Sequence, residues 1–567
     1  MLKASLAIIV LLVVLAGARQ LTRPGYSVDE EFTVFAVRGI ATEGLPILPS
    51  GLLYDRGLAY SYLGALLNRV TGSALPAYRA ISLASAAIAL VLIFVLVRRA
   101  ADPRSALLAA ILAASSISFW AAATTGRFYA PFLAAYLGLL VVLAGSRRVA
   151  WLFALAAVAR LTHELAFTAA MIPALFAVLS PKTERTAWLK ATAAVVAGLL
   201  AAQAAIFVFH YLAPSSGETM IRRFFLWQVF NLFEVPPDRQ FGIVFLSMLL
   251  AWLLVPARAG LTLVIALCGV AMVLGAAFAH GLQVMPLSWV LVASVLLDGS
   301  RYPLDMFWHI ARTTPVALGL ALALLVARLR GAGGEWRAPA RAAHLAWIGW
   351  VAWFGVIESG ITISYLLLPV TLMLAAIAID LVAISDHRSL RRSYALAAAA
   401  LVIVAIGADQ WRGQGSLGDR LSAARPTIEV PGIEVIRDGL QASDRVACTD
   451  ELACLMLVGR VDAWLALHDY VRDRFAVRRA DGEIVGVYAG APAAFRPADL
   501  FGDLKDGRPP ERVLIVDVFK EYPMGNSRVW LPKAIDTDGL EARTLLETPH
   551  ARVVEVSPPL RNARRQP

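Results

Sequence analysis

AYRAISLASAAIALVLIFVLV, residues 77–97, is an apolar run followed directly by Arg98 and Arg99. An α-helix needs about 20 apolar residues to cross the hydrocarbon core of a bilayer, so this run predicts a transmembrane helix. Hydrophobic residues make up 59% of the chain and charged residues 16%, whereas soluble domains carry ~25% charged residues. The sequence therefore indicates a polytopic α-helical membrane protein.

Other apolar segments of spanning length lie on both sides of this run, at 4–18, 105–121, 129–145, 187–212, 241–256, 261–280, 311–329, 343–358, 361–384 and 393–408. A further apolar stretch, 151–179, is interrupted by Arg160-Leu161-Thr162-His163-Glu164, which we interpret as two short helices with a polar tip. The total is about 13 transmembrane helices. Residues 4–18 are either the first of them or a signal peptide cleaved near Ala16-Gly17-Ala18.

The basic residues support a topology that starts inside the cell. Basic loops follow every even-numbered span and so fall on the cytoplasmic side, if Gln283 to Thr313 is an outer segment that does not cross. The net charge of the chain is +11; residues 1–409 contribute +12, with 30 basic and 18 acidic residues, and residues 410–567 contribute −1, with 22 and 23. This distribution is the positive-inside pattern and does not indicate a nucleic-acid partner.

Two regions fall on the predicted outer side. The first outer loop, 19–76, shows helical periodicity from Phe32 to Ile40 and from Leu58 to Val70, which predicts two short helices on the membrane surface. Residues 410–567 alternate short strands and helices, with strands predicted near 445–447, 512–518 and 551–556 and a helix at 451–458. We therefore divide the chain into a membrane domain, 1–409, and a soluble α/β domain, 410–567.

The chain has three cysteines. Cys268 lies within an apolar run, and Cys448 and Cys454 lie in the soluble domain. Three cysteines cannot form the disulfide framework of a small secreted domain. One bridge, between Cys448 and Cys454, is compatible with the sequence and is left open.

The acidic cluster Tyr26-Ser27-Val28-Asp29-Glu30-Glu31 follows the first apolar run. Acidic residues at a helix start act as caps and favour the helix dipole, and Glu31 fits that role best. A carboxylate at the water–membrane boundary is also placed to take a proton from an incoming hydroxyl or amine.

Several basic residues lie at the predicted outer ends of spans: Arg127, Arg160, Arg222 and Arg223. Arginine binds phosphate oxygens bidentately, although snorkelling to membrane lipids explains such positions equally well. Arg160, His163 and Glu164 share one face if their segment is helical. His163 and Glu164 are also two metal-type ligands, but no third ligand is evident, so no metal site is assigned.

Together these features resemble the GT-C membrane glycosyltransferases, in the branch of the protein O-mannosyltransferases and lipid A aminoarabinose transferases. The matching motifs are Asp29-Glu30 and Tyr54…Arg56 in the first outer loop, Arg127-Phe128-Tyr129-Ala130, and Leu161-Thr162-His163. A soluble domain after the last span also matches. The chain has Arg56-Gly57-Leu58 where related transferases often read Lys-Pro-Pro, His163 where they often carry lysine, and Ser364-Tyr365 where they show Arg-Tyr.

The resemblance implies an inverting glycosyltransferase of a bacterial inner membrane. It would move a sugar from a polyprenyl-phosphate donor to a lipid, glycan or protein acceptor on the outer face. Asp29 is then the base and Glu30 its supporting acid. The residues that hold the donor phosphate correspond to Arg56, Arg127, His163 and Tyr54, with Glu164, Arg160, Arg222 and Arg223 as supporting residues. This chemistry requires no cofactor.

The main alternative is a lipid or sugar transporter. Transporters usually place polar residues near the bilayer midplane, often in two repeated halves, whereas the polar residues here collect on one predicted face. Within the transferase interpretation, the soluble domain either binds an acceptor or acts as a scaffold that covers the site.

Overall fold

A computed structural model describes residues 2–27, 29–212, 310, 314–332, 341–348, 367–387, 399–405, 407, 427–466, 476–479, 481–502, 509–518 and 540–557. These residues group into two compact units. One is drawn from Met1–Leu21, Pro76–Ile206 and Trp227–Ala424, and the other from Thr22–Leu75, Phe207–Leu226 and Arg425–Pro567.

The helices in chain order are α1 (Leu2–Ala18), α2 (Glu30–Glu43), α3 (Leu58–Thr71), α4 (Ala74–Ala100), α5 (Pro103–Ala114), α6 (Ile117–Ala123), α7 (Tyr129–Leu143), α8 (Val149–Thr162), α9 (Met171–Leu179), α10 (Lys182–Leu212), α11 (Pro315–Leu329), α12 (Leu367–His387), α13 (Ile433–Asp438) and α14 (Glu451–Leu457). Two 3₁₀ helices cover Glu164–Ala170 and Pro497–Phe501. Residues 341–348 and 399–405 are also helical.

The strands are β1 (Tyr26–Ser27), β2 (Thr427–Ile428), β3 (Asp444–Cys448), β4 (Ala463–Leu465), β5 (Ala476–Arg478), β6 (Ile484–Gly486), β7 (Ala493–Ala494), β8 (Arg512–Val518), β9 (Glu541–Glu547) and β10 (Ala551–Ser557).

The first unit is helical. Within the described residues, three helices are long and apolar enough to cross a membrane: Ala74–Ala100, Lys182–Phe209 and Leu367–Asp386. The apolar helices α1, α7, α8 and α11 are shorter. The predicted spans at 241–256 and 261–280, and nearly all of Gln283 to Thr313, lie outside the described residues, so the total of about 13 spans stays a prediction.

The span predicted at 105–121 is broken in the structure. Its two parts, α5 and α6, bend by 69° and count as a fourth crossing if they form one span. The break falls at Ser115 and Ser116, where Ser116 is extended, with φ −76° and ψ 132°. The hydroxyl of Ser115 donates to the carbonyl oxygen of Leu112, a local side-chain hydrogen bond of the kind that competes with regular helix structure.

A buried charge network ties helices of the first unit together. Asp380 on α12 forms an ion pair with Arg328 on α11 (Oδ1 to Nε, 3.1 Å) and contacts Nε2 of His344 (2.7 Å), and all three side chains are almost fully buried. The indole of Trp347 donates to Nδ1 of His344 at 3.1 Å. Because Nδ1 accepts this hydrogen bond, the ring proton of a neutral His344 lies on Nε2 and faces Asp380.

The second unit contains a six-stranded sheet in the order β7-β4-β3-β8-β10-β9. Its inner strands β4, β3 and β8 are mutually parallel, and β10 pairs antiparallel with β8 and β9. The strands predicted near 445–447, 512–518 and 551–556 and the helix predicted at 451–458 are confirmed as β3, β8, β10 and α14, whereas β4 to β7 and β9 were not predicted. Cys448, at the end of β3, forms a disulfide with Cys454 on α14 across a Cα–Cα distance of 6.2 Å, which pairs the two cysteines that the sequence left open.

Thr22–Leu75, within the loop predicted to be the first outer loop, belong to the same unit as this sheet. Strand β1 pairs antiparallel with β2, so that Tyr26 lies opposite Ile428, and Tyr26 is buried in one core with Ile428 and Val430. The two helices predicted in the loop are confirmed as α2 and α3. The loop that carries the acidic cluster is therefore held by residues near the other end of the chain.

Candidate functional site

Asp29 precedes α2 in an unusual backbone conformation. Its φ is 71° and ψ −1°, the left-handed region that non-glycine residues seldom adopt. Its side chain is half-buried and makes no capping hydrogen bond to the helix. Backbone strain of this kind costs free energy and collects at functional sites. The capping interpretation therefore does not explain why an aspartate stands here.

Glu30 and Glu31 differ from Asp29 because both are completely buried. The Glu30 carboxylate accepts a hydrogen bond from the amide of Ser27 at 2.7 Å. Glu30 therefore ties the start of α2 to strand β1 and fixes the backbone on both sides of Asp29. Glu31, expected to be a helix cap, is the second residue of α2 and lies inside the unit.

Tyr54 and Arg56 lie between α2 and α3. The Tyr54 ring stacks on Phe32, with centroids 5.5 Å apart, so the tyrosine joins this segment to α2 close to Asp29. Arg56 is half-buried. Gly57, which follows it, has φ 69°, a conformation closed to proline, whose φ is fixed near −65°. The departure from Lys-Pro-Pro thus gives this loop a different backbone path.

Arg127 lies in the first unit, in the turn between α6 and α7. It is 3% exposed, and its guanidinium lies 4.6 Å from the centroid of the Phe128 ring, within range for a cation–π contact. Ser82 on α4 donates to the Arg127 carbonyl oxygen at 3.0 Å. The turn is thereby held against α4.

His163 lies beside the same turn. Its ring centroid is 5.0 Å from that of Phe128 and 5.1 Å from that of Phe132. Nδ1 accepts a hydrogen bond from the amide of Leu165 at 3.1 Å, which places the proton of a neutral ring on Nε2. The structure therefore brings two predicted phosphate-binding residues, Arg127 and His163, to one aromatic cluster.

Arg160, His163 and Glu164 would share one face only if their segment were helical, and this condition is not met. Helix α8 ends at Thr162, and His163 is extended, with φ −157° and ψ 142°. The hydrogen bond from Leu165 to the His163 ring starts a 3₁₀ helix at Glu164 instead of continuing α8. The guanidinium of Arg160 donates to Oε1 of Gln203 on α10, with Nε at 2.9 Å, so Arg160 links α8 to α10.

Two polar residues near this site were missed in the sequence, the buried Arg79 and the half-buried Gln203. Arg79, on α4, is 1% exposed and approaches the carbonyl oxygen of Leu21 at 3.5 Å. It lies one turn before Ser82, which bonds Arg127. A charge inside an apolar run is itself a signal of function and could have identified Arg79. Nothing in the local sequence distinguishes Gln203.

Some candidates lie outside the described residues, namely Arg222, Arg223 and the Ser364-Tyr365 pair. In the part of the chain that the structure describes, no three His, Cys, Asp or Glu side chains form a group that could hold a metal ion. The described candidates fall in two sets. Asp29, Glu30, Tyr54 and Arg56 belong to the second unit, and Arg127, Arg160 and His163 to the first.

Comparison with known proteins identifies a related family. The model of the dolichyl-phosphate-mannose-protein mannosyltransferase family matches residues 55–211, which include Arg56, Arg127 and His163. No curated protein matches the chain significantly.

A solved structure with a TM-score above 0.5 shows a related fold. The oligosaccharyltransferase of Archaeoglobus fulgidus in its apo form has a TM-score of 0.52 and 12% identity, over 91% of this chain and 70% of that one. The ArnT protein of Cupriavidus metallidurans bound to undecaprenyl phosphate has a TM-score of 0.41 and 12% identity, over 97% of each chain.

Proposed function

We propose that this chain, whose resemblance to the GT-C glycosyltransferases is confirmed by the family match and the shared fold, transfers a sugar from a polyprenyl-phosphate carrier. The acceptor is a lipid, glycan or protein at the outer face of a bacterial inner membrane. The observation that carries the proposal is that the region matched by the mannosyltransferase family, 55–211, includes the cluster of Arg127 and His163 around Phe128.

Asp29 is the proposed base. Its strained backbone supports this role, because strain is kept where function requires a particular residue. Glu30 is the proposed supporting acid, since its hydrogen bond to the Ser27 amide fixes the start of α2.

Arg56, Arg127 and His163 are the proposed partners of the donor phosphate. Arginine offers a planar set of donors that matches phosphate oxygens, and stacking on Phe128 holds the Arg127 guanidinium in one orientation. The hydrogen bond at Nδ1 of His163 gives its neutral ring an Nε2–H donor, so it can contribute a hydrogen bond without a full charge. Tyr54 contributes by packing, because its ring is stacked on Phe32.

The proposed reaction is a single displacement at the anomeric carbon. The acceptor oxygen or nitrogen attacks that carbon, and the bond from the carbon to the phosphate oxygen breaks. Asp29 takes the acceptor proton, and the polyprenyl phosphate leaves with the bonding electron pair. Orientation of the acceptor and fixed positive charge at the leaving phosphate supply the catalysis, and displacement from the opposite side inverts the configuration.

An outer location of the second unit agrees with its covalent chemistry. The disulfide between Cys448 and Cys454 is of a kind that persists in oxidising compartments such as the periplasm and is rare in the cytosol. This supports the outward orientation derived from the basic loops.

The test is mass spectrometry of glycans, lipids and glycoproteins from a deletion strain complemented with wild-type chain, with Asp29→Asn or with Glu43→Gln. Glu43 is exposed at the far end of α2 and serves as the matched control. We expect one glycosylated product to be lost in the deletion strain, restored by wild type and Glu43→Gln, and not restored by Asp29→Asn at equal expression.

Restoration of the product by Asp29→Asn would overturn the role of Asp29. A chain that moves a labelled polyprenyl-linked sugar across reconstituted vesicles, while the deletion strain loses no glycosylated product, would instead be a transporter.

A further inference from the structure

We propose that Glu451 is a positioning residue of the transferase: it organises a turn, residues 486–491, on which the loop carrying Asp29 is seated. The inference rests on the proposed function. It assigns a scaffold role to the soluble domain, through contacts that all lie within the second unit.

The Glu451 carboxylate is enclosed by the turn. Glu451, the first residue of α14, is 3% exposed. Its Oε1 accepts from the amide of Ala491 and its Oε2 from the amide of Tyr488, each at 3.0 Å, and the amide of Ala489 is a third donor. Three backbone amides directed at one carboxylate make its two oxygens the organising centre of the turn.

The turn closes around the carboxylate with little free space. The amide of Gly486 donates to the Ala491 carbonyl at 2.8 Å, and the amide of Gly490 donates to the Gly486 carbonyl at 3.0 Å. A Cβ added at Gly486 would lie 2.3 Å from Oε2 of Glu451. The Glu451 carboxylate therefore leaves no room for a side chain at position 486.

The outer side of the turn holds the first loop at Ser50. The Ser50 amide donates to the Tyr488 carbonyl at 3.1 Å, and its hydroxyl donates to the Val487 carbonyl at 2.7 Å. Tyr488 therefore contacts both partners: its amide donates to Glu451 and its carbonyl accepts from Ser50. The carbonyl of Val487 also accepts from Ser50. Loss of order in the turn would remove both hydrogen bonds to Ser50.

An aromatic contact carries the connection to Asp29. The Tyr488 ring packs edge-on against Phe32, with centroids 4.9 Å apart, and Phe32 stacks on Tyr54. Phe32 lies in the first turn of α2, three residues after Asp29, and Tyr54 lies two residues before Arg56. One ring of the soluble domain therefore braces both segments of the loop that carry candidate site residues.

The burial of Glu451 excludes direct contact with a substrate. Its effect on transfer passes through Tyr488 and Ser50, and small displacements of catalytic groups reduce rates strongly.

The test compares Glu451→Ala, Glu451→Gln and Ser50→Ala in the full-length protein in nanodiscs, with Glu541→Gln as the exposed acidic control on β9. Hydrogen–deuterium exchange is measured at 486–491, at 47–54 and at 29–36, with β8 as an internal reference. The amount of product is measured in the complemented deletion strain.

We expect Glu451→Ala, which leaves three amides without their acceptor, to speed exchange in all three segments and to leave β8 unchanged. Product should fall roughly ten- to a hundredfold. Glu451→Gln retains one acceptor oxygen but turns an NH₂ group toward the amides that bonded the other oxygen, so it should restore part of the protection and product. Faster exchange confined to 486–491, with normal product, would overturn the proposal.

If Glu451→Ala also speeds exchange in β8, the variant has lost global stability. The positioning role is then tested with Ser50→Ala. Faster exchange at 29–36 in Ser50→Ala supports the positioning role, and unchanged exchange there overturns it. The exchange measurements need no substrate. A failure of the transferase assignment, seen as full product with Asp29→Asn, is therefore distinguishable from a failure of the coupling.

Discussion

Arg127 and His163 pack against the same phenylalanine, Phe128, with the Arg127 guanidinium 4.6 Å and the His163 ring 5.0 Å from its centroid. Helices α7 and α8 separate the two residues in sequence, and a single ring brings them together. The two groups differ in chemistry, since Arg127 carries a permanent charge and His163 a hydrogen-bond donor whose tautomer is set by Leu165.

Substitution of Arg127 should weaken donor binding more than it changes the fold. We expect Arg127→Gln to raise the Kd for undecaprenyl phosphate in nanodiscs about tenfold or more, with Arg127→Lys in between, because lysine keeps the charge and loses the planar stacking. Native mass spectrometry measures the bound fraction. Arg104→Gln removes an exposed arginine paired with Asp386 and should bind normally. Equal Kd values for all four proteins would contradict a phosphate role for Arg127.

Two substitutions of His163 separate its structural and binding roles. In His163→Asn the amide oxygen can replace Nδ1 as the acceptor for Leu165, but the donor at Nε2 is lost. We therefore expect His163→Asn to retain thermal stability and to bind undecaprenyl phosphate more weakly. His163→Leu lacks the acceptor as well and leaves the buried Leu165 amide unsatisfied. Its free energy of unfolding should fall by about 1–3 kcal/mol, and its unfolding temperature should be lower. Unchanged lipid binding by His163→Asn would remove this residue from the proposed site.

The backbone of Asp29 gives a stability test of its own. Glycine adopts a φ of 71° without the steric cost that alanine meets there. Asp29→Gly should therefore be more stable than Asp29→Ala by roughly 1 kcal/mol, although both lose the carboxylate and should transfer no sugar. Thermal unfolding of the two purified variants measures the difference. Equal unfolding temperatures would show that the left-handed conformation is absent in solution.

The pKa of Glu451 predicts how stability changes with pH. Burial raises the pKa of this carboxyl from 4.5 to about 7, although the amides of Ala491, Ala489 and Tyr488 favour its charged form. Because the pKa in the folded protein lies above the value in the unfolded chain, the protonated carboxyl of Glu451 stabilises the fold. This contribution to the free energy of unfolding is complete below pH ~4.5 and is lost as the pH rises through ~7. Its full size is about 3 kcal/mol.

The measurement is the unfolding temperature of wild type and Glu451→Gln between pH 5 and pH 8. Glutamine cannot ionise, so wild type should lose stability relative to this variant as the pH rises. Exchange at 486–491, compared between the two proteins at each pH, should follow the same trend. Parallel pH curves for the two proteins would exclude ionisation of Glu451 in this range.

Loss of the Asp380 charge should lower the stability of the protein, because Asp380 is the acidic partner of the buried Arg328 and His344. Asp380→Asn removes the negative partner of Arg328 while keeping the shape of the side chain. We expect a loss of about 3–5 kcal/mol, the usual effect of leaving a buried charge uncompensated, seen as a lower unfolding temperature in detergent. Asp386→Asn, on the same helix but exposed and paired with Arg104, is the control and should have little effect.

The sequence predicted features that depend on local pattern. Apolar runs predicted the helices around Ala74–Ala100 and Leu367–His387, and short β-branched segments predicted strands β3, β8 and β10. The polar tip at 160–164 predicted a break in the helix, which His163 produces. The break at Ser115 and Ser116 was missed because the residues around it are apolar.

Contacts between distant residues could not be predicted. The hydrogen bond of Arg160 to Gln203, the pairing of His344 with Asp380, and the packing of Tyr488 on Phe32 each join residues far apart in sequence. Only the fold shows that the segment with the acidic cluster is completed by residues of the C-terminal region, such as Ile428 and Tyr488.

The pairing of Tyr26 with Ile428 also sets an order of events during synthesis. At about 5–20 residues per second, roughly 20–80 s pass between translation of the first strand and translation of its partner. Until then the segment with Asp29 has no strand to pair with, although it has already left the ribosome. A ribosome that stops before residue 427 therefore releases a chain in which strand β1 never gains its partner, so we expect interrupted synthesis to leave Asp29, the proposed base, without its native surroundings.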